Sequence, residues 1–505
     1  MPCTTILVGK DASYDGSTII ARNDDSPNGE FAPKRMGVVL PKDQPRHYRS
    51  VISHVEVDLS DVEPQRYTCV PNALTADGIW AAGGINECNV AMTASETITS
   101  NARVLGADPL VALKPAVGVE GEEGYVPEVL GGIGEEDIVT LVLPYICSAR
   151  EGVKRLGSLL ERYGTYEMNG VGFADLNEIW WLETIGGHHW IARRVPDDSY
   201  VTMPNQLGID SLDLSDAEGD QKEHMCSSDL RSWMTEHHLD RTVRKEGDDS
   251  SVINPRVAFG SLRDSDHVYN TPRAWSIQRR LNPRSNTWDG ADADYTPISD
   301  DIPWARRPER LVTIEDVKDV LSLHYQGTPF DCYDAPRAAS RLPYRPIGVN
   351  RTDHLSIIQL RPCAPQGARG IHWIAFGSNV FNTVVPLFAA VNVMPEYLAN
   401  TTATVSTDNF YWASRMVGAL ADPHFNTCAP HVERYQLKAM AAGHALIHAT
   451  DQQVAQASGE QVTRLLEAAN ERMARDLRKM TDELLSNVLF TSSMGMRNSF
   501  ARSDG

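Results

Sequence analysis

The order of apolar and polar positions near the N-terminus predicts a β-hairpin. Residues 3–8 (Cys-Thr-Thr-Ile-Leu-Val) are β-branched and apolar and read as a strand. Asp11–Gly16 is rich in turn formers, and Ser17–Arg22 reads as a second strand, ended by Asn23-Asp24-Asp25-Ser26-Pro27. Further strands are predicted at Tyr67–Val70, Val90–Thr93, Gly170–Ala174, Glu178–Thr184, His189–Arg193 and Tyr200–Met203, the pair around Ile185–His188 forming another hairpin. Helical spacing replaces this alternation after Glu135-Glu136-Asp137, over Ala149–Tyr163 and over Ile314–Tyr325. Residues 206–310, rich in Asp, Ser, Arg and Pro, read as solvated loops around short helices. Strands return at His354–Leu360, Ile371–Ala375 and Val384–Leu387. The tail predicts two helices, Val432–Ala455 and one beyond Ser458-Gly459. The second carries Val462, Leu465, Leu466, Ala469, Met473, Leu477, Met480 and Leu484 on one stripe. That stripe must be buried against the body or another subunit, and a homo-oligomer is expected.

Composition narrows the function more than the fold. The 505 residues carry 47 Lys plus Arg against 67 Asp plus Glu, a net charge of −20. Such a surface repels phosphate backbones, so no nucleic-acid partner is expected. No run of apolar residues is long enough for a membrane span. The N-terminus lacks the basic and apolar regions of a secretory signal, so a cytoplasmic location is expected. The eight cysteines form no C-x-x-C pair, which excludes a zinc ribbon or thioredoxin-type motif. Seven of them are expected to be small buried apolar residues. The chain contains no G-x-S-x-G elbow, H-E-x-x-H helix or phosphate-binding loop, and Gly131-Gly132-Ile133-Gly134 lacks the third spaced glycine of a dinucleotide site. His188 and His189 would point to opposite faces if extended and are read as structural. No cofactor or metal is expected.

Cys3 is the exception among the cysteines. A thiolate needs a base, since a free cysteine titrates at about 8.5. If Met1 and Pro2 are removed, Cys3 supplies both groups: its thiol is the nucleophile and its α-amine, titrating at roughly 7.7–8.0, is the base. Alone, the residue reads more simply as packing the start of a strand. Three features favour chemistry. Arg22 and Asp25 form an R-x-x-D step at the end of the second strand, which a hairpin returns to Cys3. The arginine there favours the thiolate, and the aspartate can hold the new α-ammonium. Gly84–Glu87 leads through Val90–Thr93 to Ser95-Glu96-Thr97. Tyr200–Gln206 puts the Asn205 amide at a strand end, where it could donate to an oxyanion.

With these residues in place the chain resembles the cysteine dipeptidases of the N-terminal-nucleophile hydrolases, relatives of penicillin V acylase and bile salt hydrolase. The resemblance runs through Cys3-Thr4-Thr5, Asp15-Gly16-Ser17, Arg22-Asn23-Asp24-Asp25, Gly84–Thr97 and Ser148–Val153. It continues through Trp180–Trp190, Asn270–Trp275, His324–Thr328 and Arg361-Pro362. It implies an α+β fold, a four-layer αββα sandwich with polar insertions and a helical C-terminal extension. The catalytic domain would be residues 1–430, with 1–2 removed on maturation and 206–310 a loop-rich insertion; the extension would be 431–505. It implies hydrolysis of dipeptides with broad specificity through an acyl-enzyme. By the same resemblance Cys3 is nucleophile and base, Arg22 and Asp25 flank it, and Asn205 is the oxyanion side chain. A backbone N–H near Ser95–Thr97 is the second donor, and Arg273 matches a family arginine.

A dipeptide offers a free ammonium and a free carboxylate, and Glu96 and Arg273 are the candidates to bind them. The alternatives are a linear amide hydrolase of the penicillin V acylase type, which would need a large apolar slot, and an inactive binding protein on the same fold. Two residues precede Cys3, so Pro2 must be removed by autocatalysis or by another peptidase before the amine exists.

Overall fold

Strand Thr4–Val8 pairs antiparallel with Thr18–Asp25, Leu7 lying opposite Ile20 and Ile6 opposite Ala21. Side chains alternate across a strand, so this register sorts them into two cores. Leu7 and Ile20 join one apolar cluster, whereas Ile6, Val8, Ile19 and Ala21 join another. The structure is a computed structural model describing residues 3–27, 30–94, 96–245, 247, 249–334 and 343–498. It is mixed α/β, about one third helix and one fifth strand, with a helical C-terminal region.

The hairpin is the middle of a seven-stranded antiparallel sheet, in the order Ala305–Arg306, Tyr200–Met203, Thr4–Val8, Thr18–Asp25, Thr352–Leu360, Gly370–Phe376 and Val385–Phe388. A second sheet runs His224–Cys226, Trp190–Arg194, Ile179–Thr184, Asn169–Ala174, Ala91–Thr93 and Gly83–Ile85, with Glu96–Thr97 also pairing to Asn169–Ala174. Leu7, Ile20, Val201 and Ile358 of the first sheet share a cluster with Ile85, Ala174, Trp181 and Ile191 of the second. The opposite face of the first sheet packs with helices Ile314–Val320, Phe410–Ala421, Phe425–Val454 and Glu460–Met494. The opposite face of the second packs with helices Glu135–Val142 and Ala149–Tyr163.

Several expectations change. The second strand continues through Asn23, Asp24 and Asp25, all fully buried, because their polar groups find partners inside the protein. Helix Ile314–Val320 stops well before Tyr325, which adopts a φ of 66°. Residues 206–310 are not only solvated loops. Helix Thr271–Leu281 there is almost wholly buried, and Trp233, Phe259 and Trp304 fill the core between the sheets. The tail stripe is buried within this chain: Leu466, Met473, Leu477 and Leu484 join the core beneath the first sheet. Nor are seven cysteines buried, since Cys88, Cys147 and Cys363 are exposed and Cys332 is half-buried. His188 and His189 converge on one carboxylate, their Nδ1 atoms lying 3.0 and 2.7 Å from Asp108. They do so because they sit in the hairpin turn rather than on extended strand.

Candidate active site

Alternation places Cys3, Thr5 and Leu7 on the face of the first sheet that meets the second. Arg22 pairs with Thr5 and follows Ile20 on the same face of the neighbouring strand. Cys3 is therefore fully buried at the end of the space between the sheets. Arg22 Nη2 lies 2.8 Å from its Sγ. The same Nη2 donates to Glu135 Oε1 at 2.5 Å and to Asp24 Oδ1 at 3.3 Å. Asp24 Oδ1 is 3.9 Å from Cys3 Sγ. Its other oxygen lies 3.2 Å from Lys34 Nζ and 3.3 Å from His354 Nδ1.

Glu135 reaches the site from the first turn of helix Glu135–Val142, where the backbone dipole favours a carboxylate. Glu136 and Asp137 of that turn face elsewhere, Glu136 accepting from Ser50 and the Val51 and Ile52 amides and Asp137 from Tyr48 and Gly134.

Burial pushes the Cys3 thiol well above its ordinary range, and Arg22 pulls it back. Burial also acts against the Arg22 charge, but Cys3, Glu135 and Asp24 around it hold its proton more firmly than usual. Asp24 stays well below the usual carboxylate range: Lys34 and Arg22 outweigh its burial.

The main chain of Cys3 is held as closely as its thiol. Its N–H donates to Asn205 Oδ1 at 3.1 Å, while Asn205 Nδ2 donates to Thr97 O at 2.9 Å. Arg273 Nη2 also donates to Asn205 Oδ1, at 2.7 Å. Two obligate donors thus fix which end of the amide is oxygen. Arg273 places its remaining donors on the Cys3 carbonyl, Thr4 Oγ1 (2.7 Å), Asn270 Oδ1 (2.9 Å) and Tyr269 O (2.7 Å). A guanidinium has five N–H groups, so this arginine is saturated by the protein. It is fully buried, and burial together with nearby Arg345 lowers it to about 10.

Glu96 comes from the second sheet. Its Oε2 accepts from Thr5 Oγ1 at 2.8 Å, and its Oε1 has no hydrogen-bond partner among the described residues. Burial raises the carboxyl to about 8 against the pull of Arg273 and Arg22.

The structure thus gathers Cys3, Arg22, Asn205, Glu96 and Arg273. Asp25 lies next to this group but turns to Arg345 and to Thr352 Oγ1 at 2.7 Å; the carboxylate that accepts from the thiol is Asp24, at 3.9 Å. The ladder with Thr352–Leu360 shifts register between Asp24 and Asp25. Ser95, Met1 and Pro2 lie outside the described residues. Sequence reasoning missed Asp24, Glu135, Lys34, His354 and Arg345. The acidic triplet Glu135-Glu136-Asp137 ahead of an apolar run was the one local signal. Cys3, Asp24 and Glu135 bring three ligand atoms within 4.8 Å of one another, as would suit a cation, but Arg22 already places its charge among them.

Residues 2–438 match Peptidase family C69. The chain is 56% identical to the "Dipeptidase" of Bifidobacterium longum over the whole of both chains. It is 52% identical to the "Probable dipeptidase A" of Streptococcus pyogenes serotype M3, again over all of both. It is 42% identical to the "Dipeptidase A" of Lactobacillus helveticus over 96% of each. The chain belongs to Peptidase family C69 and is a cysteine-type peptidase. No helix among the described residues is long and apolar enough to cross a membrane.

Proposed function

We propose that the protein is a dipeptidase of broad specificity that works through a Cys3 acyl-enzyme, on a four-layer αββα N-terminal-nucleophile scaffold. The carrying observation is that thiol and main-chain nitrogen of one residue are held together, Sγ by Arg22 at 2.8 Å and N by Asn205 at 3.1 Å. That is the arrangement a self-contained nucleophile and base requires. The two apolar faces of the hairpin, each packed in its own cluster, support the layered reading. The core shared by the tail and the first sheet supports residues 431–505 as an extension continuous with a catalytic unit at 1–430.

Once residues 1–2 are gone, the Cys3 α-amine takes the thiol proton, and Arg22 offsets the sulfur charge. The thiolate attacks the peptide carbonyl, and the oxyanion accepts from Asn205 Nδ2. Collapse of the adduct expels the C-terminal amino acid, whose nitrogen takes the proton from the α-ammonium. Water, deprotonated by the same amine, then cleaves the thioester, frees the N-terminal amino acid and restores the thiol. Asp24, Glu135 and Asp25 position Arg22 and Arg345 around this centre. We read Glu96 as the anchor for the substrate ammonium, because its Oε1 is unmet. Arg273, saturated within the protein, positions the Cys3 carbonyl and Asn205. A soluble cytoplasmic homo-oligomer fits exposed Leu489, Phe490 and Met494 on the last helix, and light scattering tests it.

The test is kcat/KM for one dipeptide, its N-acetyl and C-amidated forms, and a phenoxyacetyl amide. Blocking the ammonium that Glu96 is read to hold should cost at least about tenfold, the low end of leaving that buried partner unpaired, and the amidated form reads how far the carboxylate is recognised. If the phenoxyacetyl amide is the best substrate, the enzyme is an acylase and the dipeptidase reading fails.

A further inference from the structure

Cys88 and Cys147 lie outside the site, and no step above uses them. Both are exposed. They sit on two loops that are tied together. The Asn86 side-chain amide donates to Leu143 O at 2.8 Å and Ile146 O at 2.7 Å, and its Oδ1 accepts from Cys88 N–H at 3.0 Å. Gln65 Nε2 donates to Ile146 O at 3.2 Å and lies 3.2 Å from Cys147 Sγ. The same amide and the Cys147 thiol both lie near enough to the Cys88 thiol to shift its titration, Gln65 lowering it and Cys147 raising it. Neither loop is slack. Cys88 lies in the tight connection between strands Gly83–Ile85 and Ala91–Thr93. Cys147 donates its N–H to Glu151 Oε2 at 2.7 Å and directly precedes Ser148, which caps helix Ala149–Tyr163. The two thiols thus lie on loops that Asn86 and Gln65 tie to each other, open to solvent on a surface distinct from the buried Cys3. That combination is what disulfide formation needs, since the geometry tolerates little backbone movement.

We propose that Cys88 and Cys147 form a reversible disulfide site, closed by exchange with a low-molecular-weight disulfide such as oxidised glutathione. One thiolate attacks a glutathione sulfur, breaking its S–S bond, forming a mixed disulfide and releasing one glutathione thiol. The second cysteine attacks the protein sulfur of that mixed disulfide and releases the other. The protein loses two protons and two electrons, and the two glutathione molecules gain them. Burial and the Cys147 neighbour push the Cys88 thiol up to about 11, so closure should quicken as pH rises. The bond would tie the loop of the hairpin leading toward Glu96 to the start of the helix packed beneath it.

The experiment incubates the full-length protein with excess oxidised glutathione, blocks remaining thiols with N-ethylmaleimide, and maps peptides without reductant. The expected product is a Cys88–Cys147 linked peptide that dithiothreitol removes. Cys88→Ser and Cys147→Ser should each lack it and carry glutathione on the remaining cysteine. Closure should raise Tm by a few degrees in the wild type and in neither variant. Separate glutathione adducts on Cys88 and Cys147, a link from either to Cys363, or both thiols recovered as the maleimide adduct would each overturn the proposal.

Discussion

Around Cys3 single atoms decide the chemistry. Arg22 is the positive group offsetting the burial of the thiol. Cys3→Ser should therefore abolish most activity while Cys88→Ser loses little. Intact mass should show the active chain starting at Cys3; full activity with Met1 or Pro2 retained would remove the proposed base. Asn205→Ala should cut kcat by about 10²–10³, the usual cost of one oxyanion donor, with KM nearly unchanged. Normal kcat in this variant would put the oxyanion elsewhere. Glu96 carries the pH prediction. Its folded-state value near 8 lies above the ordinary glutamate value, so the folded protein holds this proton more tightly than the unfolded chain. Glu96 therefore withdraws stability as pH climbs between about 4.5 and 8, and Glu96→Gln should flatten the decline of Tm across that window. The same variant should raise KM for an unblocked dipeptide and leave its N-acetyl form unaffected; equal losses on both would show that Glu96 does not bind the ammonium. Cys3, Arg22, Asn205 and Glu96 were read from runs in or beside strands, and Arg273 from the Asn270–Trp275 run that opens helix Thr271–Leu281. Lys34 and His354 were not. Each is an ordinary polar residue until the fold sets it against Asp24, and no local spacing encodes that meeting.

At the scale of elements, alternation read the strands well wherever one face is apolar. Both tail helices and helix Ala149–Tyr163 followed their spacing closely. The errors fall where polar residues are buried. Asn23-Asp24-Asp25 looked like a turn, yet it is the strand tip that carries the site, its groups satisfied by Leu321 O, Lys34, His354 and Arg345. Helix Thr271–Leu281 was hidden for the same reason, since its buried Thr271, Ser276 and Gln278 leave no apolar stripe to mark it. The strands leading to Glu96 offer a test of close packing. A Cβ built on Gly84 would lie 1.6 Å from the Thr68 carbonyl oxygen, a backbone atom that cannot turn aside. Gly84→Ala should thus cost about 3 kcal/mol or more by forcing neighbouring strands apart. A Tm within a degree or two of wild type would show that this edge of the sheet yields freely.

For the whole molecule the open question is whether the tail is an appendage or part of the core. Read as sequence, the stripe on the last helix could have faced another subunit as well as the body, because a stripe shows only that something covers it. The fold settles the partner: Leu466, Met473, Leu477, Leu484 and Val488 share a cluster with Ile357, Trp373 and Leu387 of the sheet that holds Cys3. Asn470 fastens this packing by accepting from Phe388 N–H at 2.8 Å and donating to Phe388 O at 3.0 Å at the sheet edge. Five large apolar side chains at roughly 1.5–3 kcal/mol each amount to about the net stability of a typical domain. Removing residues 460–505 should therefore do more than alter assembly. It would strip the outer face of the first sheet, and the truncated chain should aggregate or melt without a cooperative transition in calorimetry. Leu477→Ala in the full chain, a milder lesion, should lower stability by about 2–5 kcal/mol while kcat at low temperature stays near wild type, since Leu477 lies on the far side of the sheet from Cys3. A truncated protein that folded cooperatively and kept full activity would make the tail dispensable to the core.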